Sequence, residues 1–356
     1  MPRPHRRLLA KHEGLGVRGR VLGWIEEWLK DRKQRVVLNG KSSEWREVMS
    51  GVPQGSVLGP TLFLIFINDL DVAAEVTEAV VKKFADDTKC FMVTETEEDK
   101  VRFQKMLSML EIWSTKWQML FNMDKCHVIH AGEKNPGFTY NWGEGTLLST
   151  NSEKDVGVMI TSNLKPSAQA ASAAKKANMV LGQLSRGVTY RDKDTFIRLY
   201  KTFVLPHLCY SAPAWSPYSK ADKEVLEKVQ RRAVMMVTNI KGSYEERLLA
   251  LKLRTLEERR IRGDLIECYK ILTGKYNVSP ESWFCLSREK VGAANTRTST
   301  GYLSLVLPPA PRTEIRRNFF SQRVVSFWNT LPDHVKMAST TNQFKNLYDI
   351  YTGYQT

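Results

Sequence analysis

The sequence predicts an α+β amino-terminal part followed by a mostly α-helical remainder. Three observations carry this. Short β-rich runs alternate with apolar helical stripes over residues 31–160, and helical periodicity dominates from 166 to 273. Gly- and Pro-rich interruptions gather at 50–60 and 205–219. With 42% hydrophobic and 26% charged residues in a chain of 356, composition is that of a globular protein rather than a disordered one. No run approaches the ~20 apolar residues that cross a bilayer, and no apolar signal core follows the basic start Met1-Pro2-Arg3-Pro4-His5-Arg6-Arg7. Cysteines at 90, 126, 209, 268 and 285 are odd in number and far apart, which fits a reducing compartment. The expectation is a soluble, basic, intracellular protein with no membrane partner.

Taken in order, residues 17–30 read as an amphipathic helix, with Val21, Trp24, Ile25, Trp28 and Leu29 at helical spacing. The runs Arg35–Leu38 and Glu44–Val48 flank Asn39-Gly40 and suggest a hairpin with a connection longer than the tightest turn. Ser50–Ser56 is a Gly/Pro/Gln loop. Pro60 opens an apolar core helix through Leu62, Phe63, Ile65, Phe66 and Ile67. Val80–Phe84 and Thr88–Val93 read as strands joined by a polar corner, Ala85-Asp86-Asp87. Glu97–Trp117 is a second amphipathic helix, and Lys125–His130 and Asp155–Ile160 are strand-like. Helices are expected over 166–186, 192–204, 220–237, 244–252 and 255–273, with Pro206, Pro213 and Pro217 breaking the set between 205 and 219. From about 276 the pattern weakens. Arg316-Arg317-Asn318-Phe319-Phe320 then leads to Phe327-Trp328 and a helical tail.

Charge is unevenly placed: +7 over residues 1–46, −4 over 47–180 and +12 over 181–356. An acidic middle between basic flanks suits divalent cations held beside surfaces that hold a polyanion. An ordinary solvated surface would give the same balance.

Asp86-Asp87 is the sharpest chemical feature. Adjacent carboxylates at a hairpin corner repel unless a cation compensates, and oxygen ligands without a nearby Cys or His set point to Mg²⁺ or Mn²⁺. Two such ions suit phosphoryl transfer. Alone, the pair also fits a plain solvated turn. Cys126, His127 and His130 lack a second ligand pair at finger spacing, so zinc is not expected. Trp24, Trp28, Trp113 and Trp117 are expected in the core rather than as base-stacking platforms. Arg316-Arg317 with Phe319-Phe320 suits RNA or an amphipathic docking segment equally, and Arg259-Arg260-Ile261-Arg262 is too short to name as a nuclear signal.

Phe84-Ala85-Asp86-Asp87, preceded by the Gly/Pro/Gln loop and an apolar helix and followed by Asn122-Met123-Asp124-Lys125-Cys126, resembles the palm of reverse transcriptases. More closely, the order is similar to the RNA-directed DNA polymerases of non-LTR retrotransposons of the jockey and chicken-repeat kind. Val48–Pro60, Pro206–Tyr210 with Ala214–Tyr218, Leu226–Ala233 and Tyr244–Leu248 extend the resemblance over essentially the whole chain. The resemblance implies a partial palm (1–160), a helical thumb with connecting helices (161–275) and a basic carboxy-terminal region (276–356). It implies that Asp86 and Asp87 bind the catalytic metals and that Lys125 protonates departing pyrophosphate. Pro53, Gln54, Gly55 and Ser56 would lie along template and incoming nucleotide, and Val156-Gly157-Val158 would grip the primer end. The implied reaction is RNA-templated deoxynucleotide addition to a primer 3′-hydroxyl with two Mg²⁺, on an RNA template and a DNA primer. No small-molecule cofactor beyond deoxynucleotides is implied, and a nuclear location is.

The family's metal site also uses an aspartate from an earlier palm strand, in a motif that runs into Pro-His-basic-Leu-Leu. Pro4-His5-Arg6-Arg7-Leu8-Leu9 matches the end of that motif, and Asp31 between helix and strand reads as a solvated turn. The expectation is therefore a chain lacking the first aspartate strand, the fingers and any upstream endonuclease, either in itself or through a start placed too late. Such a chain would bind its ions poorly and be inactive alone, with an open sheet edge that invites a covering partner. The rival readings are a non-catalytic nucleic-acid binder derived from the polymerase and a structural remnant.

Overall fold

The computed structural model describes residues 3–72, 78–286, 304–307, 309 and 311–354. Of the carboxy-terminal region expected from 276, residues 287–303, 308, 310, 355 and 356 lie outside the described set. The chain forms two compact units, residues 1–151 and 152–356. Among the described residues no helix is long and apolar enough to cross a membrane.

The first unit opens with helices α1 (Arg3–Gly14) and α2 (Gly19–Leu29). Short strands β1 (Lys33–Gln34), β2 (Val37–Leu38), β3 (Lys41–Ser42) and β4 (Arg46–Glu47) follow. Helix α3 (Gly59–Ile67), the hairpin β5 (Val80–Phe84) and β6 (Asp87–Phe91), and helix α4 (Glu97–Trp117) come next. The unit closes with β7 (His127–Val128), β8 (Asn141–Trp142), β9 (Gly145–Thr146) and β10 (Leu148–Ser149). Among the described residues the strands pair only in twos, β7 with β10 in parallel and the other pairs antiparallel.

One apolar cluster holds this unit, formed by Leu8, Leu9, Ile25, Leu29, Leu62, Phe66, Ile67, Leu70, Met106, Leu107, Leu110, Trp113, Tyr140 and Leu147. Helix α4 has the ends its sequence predicts. Thr96 and Asp99 form a reciprocal capping box at its start, and Gln118 adopts a left-handed conformation just past its end. Helix α1 was not expected. It buries Lys11, whose ammonium donates to Phe66 O at 2.6 Å and lies 4.6, 4.3 and 4.1 Å from the ring centres of Phe66, Trp113 and Trp117. Asp69 completes the enclosure by accepting from Lys11 and from Trp113 Nε1. Burial lowers the pKa of Lys11, with the bond to Asp69 opposing it. A cation enclosed by aromatic faces and a carboxylate joins α1, α3 and α4.

Three expectations need correction here. Trp24 is exposed and stacks on half-buried Trp28 at 6.3 Å, because the apolar stripe of α2 is wider than the face that docks. Asn39-Gly40 is a tight two-residue turn, with φ of +48° and +77° and Leu38 opposite Lys41. Three residues separate β3 from β4 and only two separate β1 from β2, which made the connection look long. Asp87 is not part of the corner but pairs with Phe84 as the first residue of β6.

The second unit begins with a hairpin, β11 (Ser152–Asp155) and β12 (Val158–Thr161), followed by helix α5 (Ser167–Gly187). Helices α6 (Lys193–Leu199), α7 (Leu205–Cys209), α8 (Ala212–Trp215), α9 (Lys220–Met235), α10 (Tyr244–Ala250) and α11 (Leu256–Leu272) come next. After the undescribed stretch come α12 (Glu314–Arg317), α13 (Phe320–Asn329), α14 (Asp333–Lys336) and α15 (Thr341–Tyr351). Pro206 does not break the chain's helical path. Tyr200–Val204 is a π-helical turn in which Leu205 N–H bonds Tyr200 O, and Pro206 then sits in the first turn of α7, where no N–H is needed.

The stretch Leu226–Ala233 has a structural role. Buried Gln230 accepts from Tyr200 Oη at 2.9 Å and donates to Arg254 O at 3.0 Å, and Glu227 accepts from the Leu256 N–H at 3.0 Å. A full set of partners makes such a buried network favourable. Helix α11 spans two cores. Leu256 packs with α5–α10, whereas Leu265–Leu272 pack with Phe284, Phe320, Trp328 and Phe344. Arg254 and Arg262 both clamp buried Asp349 of α15 at 2.7 Å.

Candidate functional site

The β5–β6 hairpin alternates strictly. Val81, Lys83, Thr88 and Cys90 face inward, and Val80, Lys82 and Phe84 face out. Its two-residue turn, Ala85-Asp86, forces Ala85 to φ +52°, a left-handed value that costs a residue with a Cβ roughly 1–2 kcal/mol. Lys83 fastens the hairpin to the end of α3. Its ammonium donates to Asn68 O and Asp71 Oδ1 at 2.6 Å and to Ile67 O at 3.3 Å. Partial burial pushes the Asp71 pKa up, but the hydrogen bond and charge of Lys83 together with backbone N–H bonds outweigh it and hold the carboxyl below its ordinary value.

Asp86 and Asp87 project from the tip and are exposed. Neither carboxylate hydrogen-bonds or ion-pairs with another described side chain. The donor chemistry is that of a hard cation: two carboxylates, oxygen only. Mg²⁺ is commonly held by one or two carboxylates together with substrate phosphates. Among the described residues no third Asp, Glu, His or Cys joins them, and the Cys126, His127, His130 set forms no metal group either.

The other expected site residues fall in two places. Pro53-Gln54-Gly55-Ser56 is a turn with Gly55 at φ +76°. Ser56 Oγ donates to Pro53 O at 2.7 Å and accepts from the Gly59 N–H at 3.0 Å. A Cβ on Gly59 would lie 2.8 Å from Ser56 Oγ and 2.9 Å from Pro53 O, so the loop can fold onto the start of α3 only over glycine. Buried His5 of α1 fixes the loop's other end by donating Nε2–H to Gly51 O at 3.0 Å. Lys125 is exposed at the end of a 3-10 turn, Met123–Lys125, that Asn122 caps. Its neighbour Cys126 lies close enough to Cys90 of β6 to interact electrostatically. Burial, with Cys126 adding to it, pushes the Cys90 pKa up to about 12, so it stays a thiol. Val52, Leu58, Val81, Cys90 and Cys126 all pack on the same apolar cluster, which brings loop, hairpin and lysine turn onto one support.

Val156 and Gly157 lie in the second unit. They form the two-residue turn of β11–β12, with φ of +42° and +86°. The Tyr210 hydroxyl donates to Val156 O at 3.0 Å, and a Cβ on Gly157 would meet the Tyr210 ring at 3.1 Å. Tyr210 is in turn held by Trp215, whose Nε1 donates to Tyr210 O at 2.7 Å. Sequence reasoning missed the roles of His5, Gly59 and Tyr210. The signal available was their place inside the runs Pro4–Leu9, Val48–Pro60 and Pro206–Tyr210.

The family described as reverse transcriptase (RNA-dependent DNA polymerase) matches residues 4–170, a span that includes the loop, the Asp86-Asp87 hairpin, Lys125 and the Val156-Gly157 turn. Residues 4–170 belong to the reverse transcriptase family. The RNA-directed DNA polymerase from mobile element jockey of Drosophila funebris is 29% identical over 235 residues, covering 62% of this chain and 25% of that protein. The Drosophila melanogaster jockey polymerase is 23% identical over 306 residues, covering 82% of this chain and 31% of its own length. A probable RNA-directed DNA polymerase from transposon BS of Drosophila melanogaster is 26% identical over 261 residues, 67% of this chain and 28% of that protein. The chain is thus similar to jockey-like RNA-directed DNA polymerases and spans between a quarter and a third of the length of these relatives. Reverse transcriptases use divalent metal ions and work on a nucleic-acid template and primer.

Proposed function

We propose that this chain contributes part of the nucleotidyl-transfer site of an RNA-directed DNA polymerase, copying an RNA template onto a DNA primer. The observation that carries the reading is the exposed, unpartnered Asp86-Asp87 pair on a hairpin anchored by Lys83. Asp86 and Asp87 hold Mg²⁺ here, which when bound supplies charge neutralisation at the reacting phosphates. Lys125 gives a proton to departing pyrophosphate. Pro53–Ser56 lies along template and incoming nucleotide, and Val156-Gly157-Val158 holds the primer end. In this reading residues 1–160 are palm, 161–275 thumb and connecting helices, and 276–356 a basic carboxy-terminal region. A third carboxylate from outside these residues completes the metal cage, and another segment or chain covers the free edges of β5–β6. The isolated chain therefore binds metal weakly and does not extend a primer.

The second reading, a nucleic-acid binder without catalysis, is favoured by the +12 charge of residues 181–356. One set of samples separates the two. Mn²⁺ binding followed by electron paramagnetic resonance is expected to be weak in the wild-type chain and lost in Asp86→Ala, with no primer extension by either. Mn²⁺ binding unchanged in Asp86→Ala would sink the metal assignment, and RNA affinity that falls steeply with salt would then leave the binder. Extension by the wild-type chain would show that the site is complete without an outside ligand.

A further inference from the structure

A cavity of about 200 Å³ opens in the second unit, lined among others by Tyr218, Lys223, Glu257, Arg260, Asp264 and Arg323. Its charges are unequally satisfied. Arg323 binds Asp264 through two hydrogen bonds of 2.8 and 2.9 Å, and Lys223 pairs with Glu257 at 2.5 Å. Both lining acids are therefore committed to other bases. Arg260 is 4% exposed, yet among the described residues its Nε and Nη2 have no hydrogen-bond partner, and the buried Tyr218 hydroxyl has none. The nearest aromatic support for Arg260, the Trp215 ring, is 5.8 Å away, close to the limit of a useful cation–π contact.

Buried guanidinium nitrogens without acceptors are costly, and a fold seldom retains them without a use. Neither Arg260 nor Tyr218 takes part in the metal hairpin, the loop or the primer turn described above.

We propose that this cavity is a binding site for a phosphoryl oxyanion, with Arg260 and the Tyr218 hydroxyl as its principal donors and Lys223 at its side. A tetrahedral phosphate offers acceptor oxygens in several directions, which suits donors that reach the cavity from separate segments: α11, the chain before α9, and α9 itself. A carboxylate offers only two oxygens in one plane. Arginine is also the side chain best matched to phosphate geometry. The cavity is too small for a duplex backbone. It takes a terminal phosphate, free or carried on a nucleotide or on the 5′ end of a strand.

The test is thermal unfolding of the full chain at constant ionic strength in chloride, inorganic phosphate, a deoxynucleoside 5′-monophosphate, a 5′-phosphorylated oligonucleotide, or acetate. Phosphate is expected to raise the midpoint in a saturable way, and acetate is not. Arg260→Met is expected to weaken phosphate binding roughly ten- to hundredfold while leaving the phosphate-free midpoint unchanged or higher, since it removes an unpaired buried cation. Tyr218→Phe serves as a second variant, with a few-fold weakening and no loss of fold. The monophosphate and oligonucleotide arms tell which carrier the site prefers. Three results would overturn the proposal: no midpoint rise beyond chloride, a rise equal in acetate, or a rise that survives in both variants.

Discussion

Two hairpin turns of equal length behave differently. Ala85-Asp86 and Val156-Gly157 are both two-residue connections, and each forces a residue with a Cβ to positive φ, +52° and +42°. In the second, the strain is braced. Tyr210 holds the Val156 carbonyl and its ring covers Gly157, and Trp215 holds Tyr210. In the first, no side-chain hydrogen bond or ion pair among the described residues holds the turn itself, and the bracing lies two residues back, where Lys83 grips the end of α3. The difference teaches where each hairpin can interact. A braced turn keeps its backbone shape while chain passes over it, whereas an unbraced acidic tip keeps its carboxylates open to a cation. Strained backbone is retained where the surroundings over-determine it, and here the two sets of surroundings act at different distances.

The comparison can be broken most strongly at Lys83. Lys83→Met removes three donated bonds and should destabilise the first unit by about 2 kcal/mol in urea unfolding. Because Asp71 has its pKa held down in the folded state, its contribution to stability is present above the ordinary carboxylate range near pH ~4. That contribution is lost as pH falls through the lower folded value. The variant should therefore lose stability less steeply than wild type below that pH, and an unchanged acid limb would show that the Lys83–Asp71 pair does not anchor the hairpin. Tyr210→Phe removes the brace on the other turn. It should cost about 1 kcal/mol and speed amide exchange at Gly157 while leaving β5–β6 alone. Equal exchange in both proteins would mean that the strands alone hold the turn. Ala85→Gly relieves the left-handed strain at the acidic tip and should stabilise by roughly 0.5–1 kcal/mol. Destabilisation instead would mean that the alanine methyl makes a contact the fold needs.

Much of the architecture was legible in sequence where a local signal was strong. Helix α4 runs from Glu97 to Trp117 as expected because a long apolar stripe marks it, and the structure adds a capping box at Thr96 and Asp99. The acidic hairpin was visible from two alternating runs with a short polar insert, and the reverse-transcriptase match over residues 4–170 spans it. Illegible parts had physical causes. Strands β8, β9 and β10 are two residues each, too short to show a period. Helix α1 buries His5, Lys11 and His12 beside Leu8 and Leu9, and the first three are residue types that ordinarily argue for solvent. The loop's dependence on Gly59 and the turn's dependence on Tyr210 are long-range contacts that no local pattern encodes.

The enclosure of Lys11 gives the amino-terminal helix a built-in reporter. An ammonium shut between Phe66, Trp113 and Trp117 is hidden from acylating reagents for as long as α1 stays docked. Amine labelling read by peptide mass should therefore mark Lys11 late, after exposed lysines such as Lys125, and in step with a change in tryptophan emission as the rings lose their cation. Early labelling at Lys11 would show that α1 detaches on its own while the rest of the first unit stays folded.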